Sequence, residues 1–236
     1  QDVGSTPADS PTRVLRSVTM KLYGFWRSTA TWRVRIALAY KEIPYEYLPV
    51  HLARDGGEQH RAEFVAINPM RHVPVLVVEE ADQTHRIAES LAILEFLEER
   101  APNPPLLPRD TFLRARARQL ALLVVSGIQP LQNTKVQRHV RDELRADPAA
   151  WTRHWVTQGL TAFEALARET AGQYCVGNAL SFADVCLVPQ LFFSRRFAVE
   201  LAPFPTLLAI EKRCAELPAF EKAHANNQSD AEPTPT

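Results

Sequence analysis

The chain has 236 residues, 46% of them hydrophobic and 23% charged, which is ordinary for a globular protein and long enough for one large core or two smaller ones. Lys plus Arg equals Asp plus Glu at 27 each, so the net charge is zero, and no basic excess points to nucleic acid or an anionic membrane surface. No stretch reaches the ~20 apolar residues of a bilayer span. The three cysteines, Cys175, Cys186 and Cys214, show neither a Cys-x-x-Cys pair nor metal-ligand spacing, which predicts reduced thiols in a cytoplasmic protein and no metal site.

Residues 1–19 carry Asp2, Asp9, Arg13 and Arg16 without an apolar run. They read as a flexible extension rather than a secretory signal. Lys21 to Phe25 predicts a strand, and Val34, Ile36, Ala37 and Leu38 begin a helix reaching about Glu42. The hydroxyls of Ser28, Thr29 and Thr31 then fall in the strand-to-helix turn and the first helical turn. Unpaired N–H groups and the positive end of the helix dipole meet there. Two readings stand: plain capping by residues that favour caps, or a cradle for an anion such as a thiolate.

Ile43 to Val50 predicts a second strand, Asp55-Gly56-Gly57 a loop, and Gln59 to Ile67 a short helix stopped at Asn68-Pro69. Val73 to Val78 reads as a buried strand with Pro74 at its mouth, a place where the missing N–H is tolerated. A cis Val73–Pro74 bond would turn the Val73 N–H and C=O outward, toward an extended ligand. Thr84 to Ile87 completes a hairpin. After Glu89 and Ser90, Leu91, Leu94 and Leu97 mark an amphipathic helix, whose start Ser90 could cap or offer to an anion. The β-α-β-α-β-β-α order over residues 20–100 is that of a thioredoxin-like α/β domain.

Four prolines between Ala101 and Pro108 exclude helix and interior strand, so 101–109 is read as an interdomain linker. An all-helical domain is expected over 110–224. Leu113, Ala117, Leu120, Val124, Ile128 and Leu131 predict one long helix kinked near Pro130. A second helix is expected from Pro148 to Thr170, with Trp155, Phe163 and Leu166 inward and Trp151 packing on Trp155. Ser181 and Asp184 have capping-box spacing ahead of an apolar helix that buries Cys186, which gives Asp184 a structural part. The polar residues 225–236 predict a mobile tail.

These residues resemble the cytosolic glutathione transferases, and within them the zeta class, which includes the maleylacetoacetate isomerases. The resemblance rests on Trp32-Arg33-Val34-Arg35-Ile36-Ala37-Leu38, Asp55-Gly56-Gly57, Asn68-Pro69-Met70, Val73-Pro74 and Gly127-Ile128-Gln129-Pro130-Leu131-Gln132-Asn133. Tyr174-Cys175-Val176-Gly177 and Leu187-Val188-Pro189-Gln190 add to it. It implies a homodimer, glutathione as cofactor, and a cis Pro74 with the Val73 backbone on the cysteinyl part of glutathione. Glu89 and Ser90 would hold the γ-glutamyl end, Gln59 the glycyl side or the backbone, and Gln129 would line the cofactor and substrate sites. Two departures are visible. Glu89 stands where zeta members usually carry Gln, and Ser28-Thr29-Ala30 stands in place of Ser-Ser-Cys. Ser28 keeps the thiolate-stabilising hydroxyl, Thr29 a second one, and Ala30 removes the cysteine.

A free thiol titrates near ~8.5, and lowering it by about two units requires about 2.7 kcal/mol. One charge-assisted hydrogen bond supplies roughly 1.5–3 kcal/mol and helix-end amides about 0.3–1, so the turn suffices without a metal. The reaction implied is glutathione-dependent cis–trans isomerisation of maleylacetoacetate to fumarylacetoacetate in aromatic amino-acid catabolism. Gln129, Asn133 and Arg196 are the candidates for holding the dicarboxylate, with Arg27 and Arg33 as helpers. From the residues alone, Gln129 reads equally as helix packing and Arg196 as a surface ion pair. Maleylpyruvate isomerisation, conjugation or dehalogenation of small α-halo acids, and a non-catalytic scaffold are the alternatives.

Overall fold

The computed structural model describes residues 18–232. The N-terminal half is a four-stranded sheet built from β1 (Val18–Gly24), β2 (Glu46–Pro49), β3 (Val75–Glu80) and β4 (Gln83–Ala88). The spatial order is β2-β1-β3-β4, with β2 parallel to β1 and both hairpin strands antiparallel to their neighbours. Leu22 lies opposite Leu76 in the central pair, and both are fully buried. Helix α1 (Thr29–Tyr40) crosses between β1 and β2, α2 (Ala62–Ile67) leads toward β3, and α3 (Ser90–Arg100) follows β4. This is the expected thioredoxin-like arrangement. The segment expected as a helix from Gln59 is broken at Arg61, whose extended backbone separates a 3-10 turn from α2.

Helix α1 is buried from Thr29 to Leu38, as befits a helix apolar nearly all round. It packs on α3 and on two helices of the C-terminal half, α7 (Phe182–Arg196) and α9 (Pro218–Ala223). Its interior position carries Arg33 and Arg35 into the protein. The remaining helices are α4 (Thr111–Leu122), α5 (Thr134–Asp142), α6 (Pro148–Ala167) and α8 (Pro205–Ala215). One continuous core runs from Leu22 and Leu76 through Ile36 and Ile93 to Phe163, Phe182 and Leu187. The capping box at the head of α7 is present. Asp184 accepts from Ser181 N (2.8 Å), Ser181 Oγ (2.7 Å) and Cys175 N (2.7 Å).

Three expectations are corrected. The long helix expected to kink near Pro130 instead widens at Leu123–Ile128 into a π-helical segment, closed by Gln129 N on Val124 O at 2.8 Å. α6 presses on it so closely that a Cβ at Gly159 would collide with Ile128, and Leu113, expected inward, is 38% exposed. The proline-rich segment read as a linker is held by two side chains. Buried Glu98 accepts from Leu106 N and Leu107 N, while Lys41 pairs with Glu98 at 2.7 Å and donates to Ala101 O and Pro104 O. Residues 225–232, expected mobile, are docked. Asp230 accepts from Trp26 N (2.9 Å) and Tyr47 Oη (3.2 Å), and Glu232 pairs with His51 (3.1 Å) and Arg54 (3.2 Å). The tail's acids find donors on the turn after β1, on β2 and on the segment that follows β2. Residues 1–17 of the expected extension, and 233–236, lie outside the described residues, while Val18 and Thr19 open β1.

Candidate active site

The turn from β1 into α1 is drawn tight by two short-range contacts. A Cβ on Gly24 would collide with the Thr31 side chain, and the Thr31 hydroxyl accepts from Phe25 N at 3.4 Å. Ser28 sits at the N-cap with extended backbone, and its Oγ accepts from Thr31 N at 3.2 Å. An oxygen used in that way keeps its O–H free to donate. The next two amides, of Thr29 and Ala30, have no acceptor among the described residues. One hydroxyl donor and two N–H groups thus converge at the positive end of α1.

Ser28 and Ala30 open onto a cleft of about 580 Å³ between the two halves of the chain. Its α/β wall includes Gln59, Val73, Pro74, Glu89 and Ser90, and its helical wall Val125, Gln129, Pro130 and Asn133. The Val73–Pro74 bond is cis. Neither Val73 N nor Val73 O bonds to another described residue, so both are available to an extended ligand. Asn68 holds this loop by donating to His72 O at 2.8 Å. Gln59 donates to Leu52 O at 3.3 Å, and its buried Oε1 has no donor. It fits the space left by Gly57, whose φ of 104° and absent Cβ suit glycine alone. Glu89 adopts φ 66°, ψ 113° at the cap of α3, a sparsely populated conformation of the kind that collects at functional sites.

Nine of the expected site residues therefore line one cleft: Ser28, Ala30, Gln59, Val73, Pro74, Glu89, Ser90, Gln129 and Asn133. Three do not. The Thr29 side chain is buried in α1, away from the cleft, leaving its backbone N–H as its contribution. Arg33 is fully buried behind the floor, donating to Ser90 Oγ and Gln129 Oε1. Arg196, at the last turn of α7, is exposed and outside the lining. It makes no ion pair among the described residues, unlike Arg195, which pairs with Glu211. Partial burial, and then repulsion from the Arg27 guanidinium, lower the Arg196 pKa, so the two cations stand within electrostatic reach. Arg27 itself lies over the Trp26 ring at 5.1 Å.

The sequence reading missed a basic rim: Arg71 and His72 on the α/β side, and Lys135 and Arg138 on α5. Lys135 Nζ lies 3.2 Å from His72 Nε2 across the mouth. Burial, and then Lys135, hold the His72 pKa below its ordinary value, so the ring accepts from the ammonium. The signal that could have found Lys135 and Arg138 is their i,i+3 spacing just after Asn133, on one face of a helix start. Among the described residues no three His, Cys, Asp or Glu side chains come together in a group that could hold a metal ion.

Residues 22–105 match the family model of the glutathione S-transferase N-terminal domain, and residues 137–226 that of the C-terminal domain. The chain belongs to the glutathione S-transferase family, in its zeta-class branch of maleylacetoacetate isomerases. It is 47% identical over 212 residues to the probable maleylacetoacetate isomerase 2 of Drosophila melanogaster, covering 90% of each. Among solved structures it resembles the maleylacetoacetate isomerase of Anaeromyxobacter dehalogenans 2CP-1 with glutathione in the active site (46% identity, TM-score 0.86, 92% of this chain and 100% of that one). That protein has also been solved with dicarboxyethyl glutathione and citrate (44%, TM-score 0.85, 93% and 100%). A maleyl pyruvate isomerase, a bacterial zeta-class glutathione S-transferase, is 40% identical with a TM-score of 0.84, covering 90% and 100%.

Proposed function

We propose that the chain catalyses the glutathione-dependent cis–trans isomerisation of maleylacetoacetate to fumarylacetoacetate. The observation that carries this is the convergence of the Ser28 hydroxyl, the Thr29 and Ala30 amides and the unpaired Val73 backbone on one cleft. Together with the orphaned Gln59 Oε1, these groups match a peptide ligand that carries an anionic sulfur. When bound, glutathione supplies the thiolate that adds to the cis double bond, so that the bond can rotate before elimination restores it.

Ser28 donates to the sulfur and lowers its pKa, while the helix-end amides add to the same field. Glu89 accepts from the ligand's ammonium group, and Ser90 donates to the adjoining carboxylate. Gln129 and Asn133 face the substrate from the helical wall. Lys135 and Arg138 extend that wall with positive charge suited to a carboxylate, and Arg27 with Arg196 offers a second cationic group beside the turn. Donors placed where negative charge develops on the substrate oxygen stabilise the transition state more than the ground state. Ala30 in place of the family cysteine leaves this scheme intact, since the nucleophile comes from the ligand.

The test is the conversion of maleylacetoacetate with and without glutathione. Turnover that needs glutathione and stops when S-methylglutathione replaces it supports the reading; equal rates without the thiol overturn it. Maleylpyruvate is the second reading, favoured by the maleyl pyruvate isomerase likeness and by a basic rim that would take any short dicarboxylate. The same assay with dichloroacetate measures displacement on α-halo acids. The reading further includes a cytoplasmic homodimer, supported by the exposed Phe112 and Leu122 of α4, apolar surface for a second copy to cover.

A further inference from the structure

Helix α1 brings two arginines into the interior, and they are used differently. Arg35 donates to the backbone carbonyls of Phe25, Trp26 and Ala223, and so ties the turn to the C-terminal helices. Arg33 uses its two terminal nitrogens on side chains that line the cleft. Nη1 donates to Ser90 Oγ at 3.1 Å and Nη2 to Gln129 Oε1 at 2.6 Å. Its side chain is fully buried, its Nε has no acceptor, and among the described residues it forms no ion pair.

A buried guanidinium whose hydrogen-bond acceptors are all neutral is unfavourable for stability, since burial outweighs the through-space attraction of Glu89. Its chemistry explains what it does here. A guanidinium has five donors and no acceptor, a hydroxyl can donate or accept, and a primary amide presents one face of each kind. Once Arg33 occupies the Ser90 oxygen, that hydroxyl has its proton left to offer to the cleft. Once Arg33 occupies Gln129 Oε1, the amide is locked with its NH2 toward the cleft. One residue thereby fixes the sense of a donor on each wall, 57 and 96 positions away in sequence.

We propose that Arg33 is a positioning residue that sets the hydrogen-bond polarity of the cleft. By occupying an acceptor position on Ser90 and on Gln129, it biases both side chains toward donating into the cleft and makes the floor selective for carboxylate groups on the bound ligands. The inference rests on the glutathione reading of the same cleft. It assigns Ser90 to the α-carboxylate of the γ-glutamyl residue and Gln129 to a carboxylate of the substrate. Arg33 touches neither ligand and acts through these two side chains, drawing the anion's charge toward a buried cation that no carboxylate contacts directly among the described residues, Glu89 acting on it only through space.

The experiment compares the binding of glutathione with that of 4-aminobutyryl-cysteinylglycine, which lacks only the γ-glutamyl α-carboxylate, in wild type and Arg33→Met. The wild type is expected to prefer glutathione at least 30-fold, and the variant less than threefold, because an undirected Ser90 hydroxyl no longer has to donate. Equal weakening of both ligands, with the preference kept, overturns the proposal and leaves Arg33 a purely structural part; so does an unchanged preference. A wild type that binds neither ligand overturns the glutathione reading itself and the proposal with it, a result distinct from the other two. If Arg33→Met fails to fold, Gln129→Glu decides. It gives Arg33 an ion pair, so the melting temperature should hold or rise, yet it removes the donor. The KM for the dicarboxylate should rise at least tenfold, and an unchanged KM overturns the proposal.

Discussion

Ser28 uses one oxygen twice. It caps α1 by accepting from Thr31 N, and as a residue that lines the cleft it keeps an O–H free to donate there. Removing the hydroxyl should therefore be felt in two measurements. Ser28→Ala is expected to lose about 1 kcal/mol of stability as a lost N-cap, read by urea unfolding. It should also lower kcat/KM at least tenfold, about 1.4 kcal/mol of transition-state stabilisation. A variant that loses stability but keeps its turnover would reduce Ser28 to a cap. Capping and anion binding were both open from the residues, since Ser, Thr and free amides serve either purpose. The fold separates them by burying Thr29 and Thr31 and leaving Ser28 at the cleft.

Among the elements, the segment from Leu123 to Gln129 and the docked tail matter most. The π-helical segment replaces the kink expected near Pro130 and places Val125 and Gln129 at the cleft, in keeping with the frequency of such widenings at functional sites. Just beyond it, Gln132 and Gln190 exchange two amide hydrogen bonds of 2.9 Å in the interior, fastening the segment to α7. The tail has no apolar periodicity, and its polar composition reads as mobility. Among its anchors is the Asp230 carboxylate, which satisfies the backbone N–H of Trp26, one residue before Arg27. Asp230→Ala should cost about 1–3 kcal/mol, the range for leaving a partly buried donor unsatisfied. Limited proteolysis should then cut after residue 224 in the variant under conditions that spare the wild type. Equal resistance in both would show that Ala225 and Ala231, packed on the core, hold the tail without Asp230.

At the scale of the whole molecule, stability should depend on pH through two partly buried imidazoles. Burial lowers the pKa of His72, helped by Lys135, and that of His224, helped by Arg35. A base with a lowered folded-state pKa stays neutral in the native chain while the unfolded chain takes a proton at about 6.5. The contribution is complete above that pH and is lost as pH falls through the folded values. The melting temperature should accordingly decline from about pH 6.5 downward, and His72→Gln should flatten part of the slope. A flat profile between pH 7 and 5 would contradict it. Association belongs to the same scale. Sedimentation is expected to give twice the chain mass, and Phe112→Asp, altering a side chain 86% exposed in the single chain, should shift it toward the monomer. A wild-type monomer would remove the dimer from the proposal.

What the residues decided by themselves is whatever depends on near neighbours along the chain. The α/β order, the proline-rich stretch without helix or strand after α3, the cap at Ser28, the Ser181–Asp184 box and most of the residues that line the cleft follow from local propensity, spacing and the family motifs. They are legible because the physics of a cap, a turn or a buried strand acts over a few residues. Tertiary structure alone decided which cations surround the cleft, that Arg33 lies beneath it rather than in it, and that the tail is bound. Lys135 meets His72 across 63 positions and Asp230 meets Trp26 across 204. Nothing in the composition of either partner marks such a pair, because a hydrogen bond or a charge contact has an energy only once the folded path of the chain has set the distance.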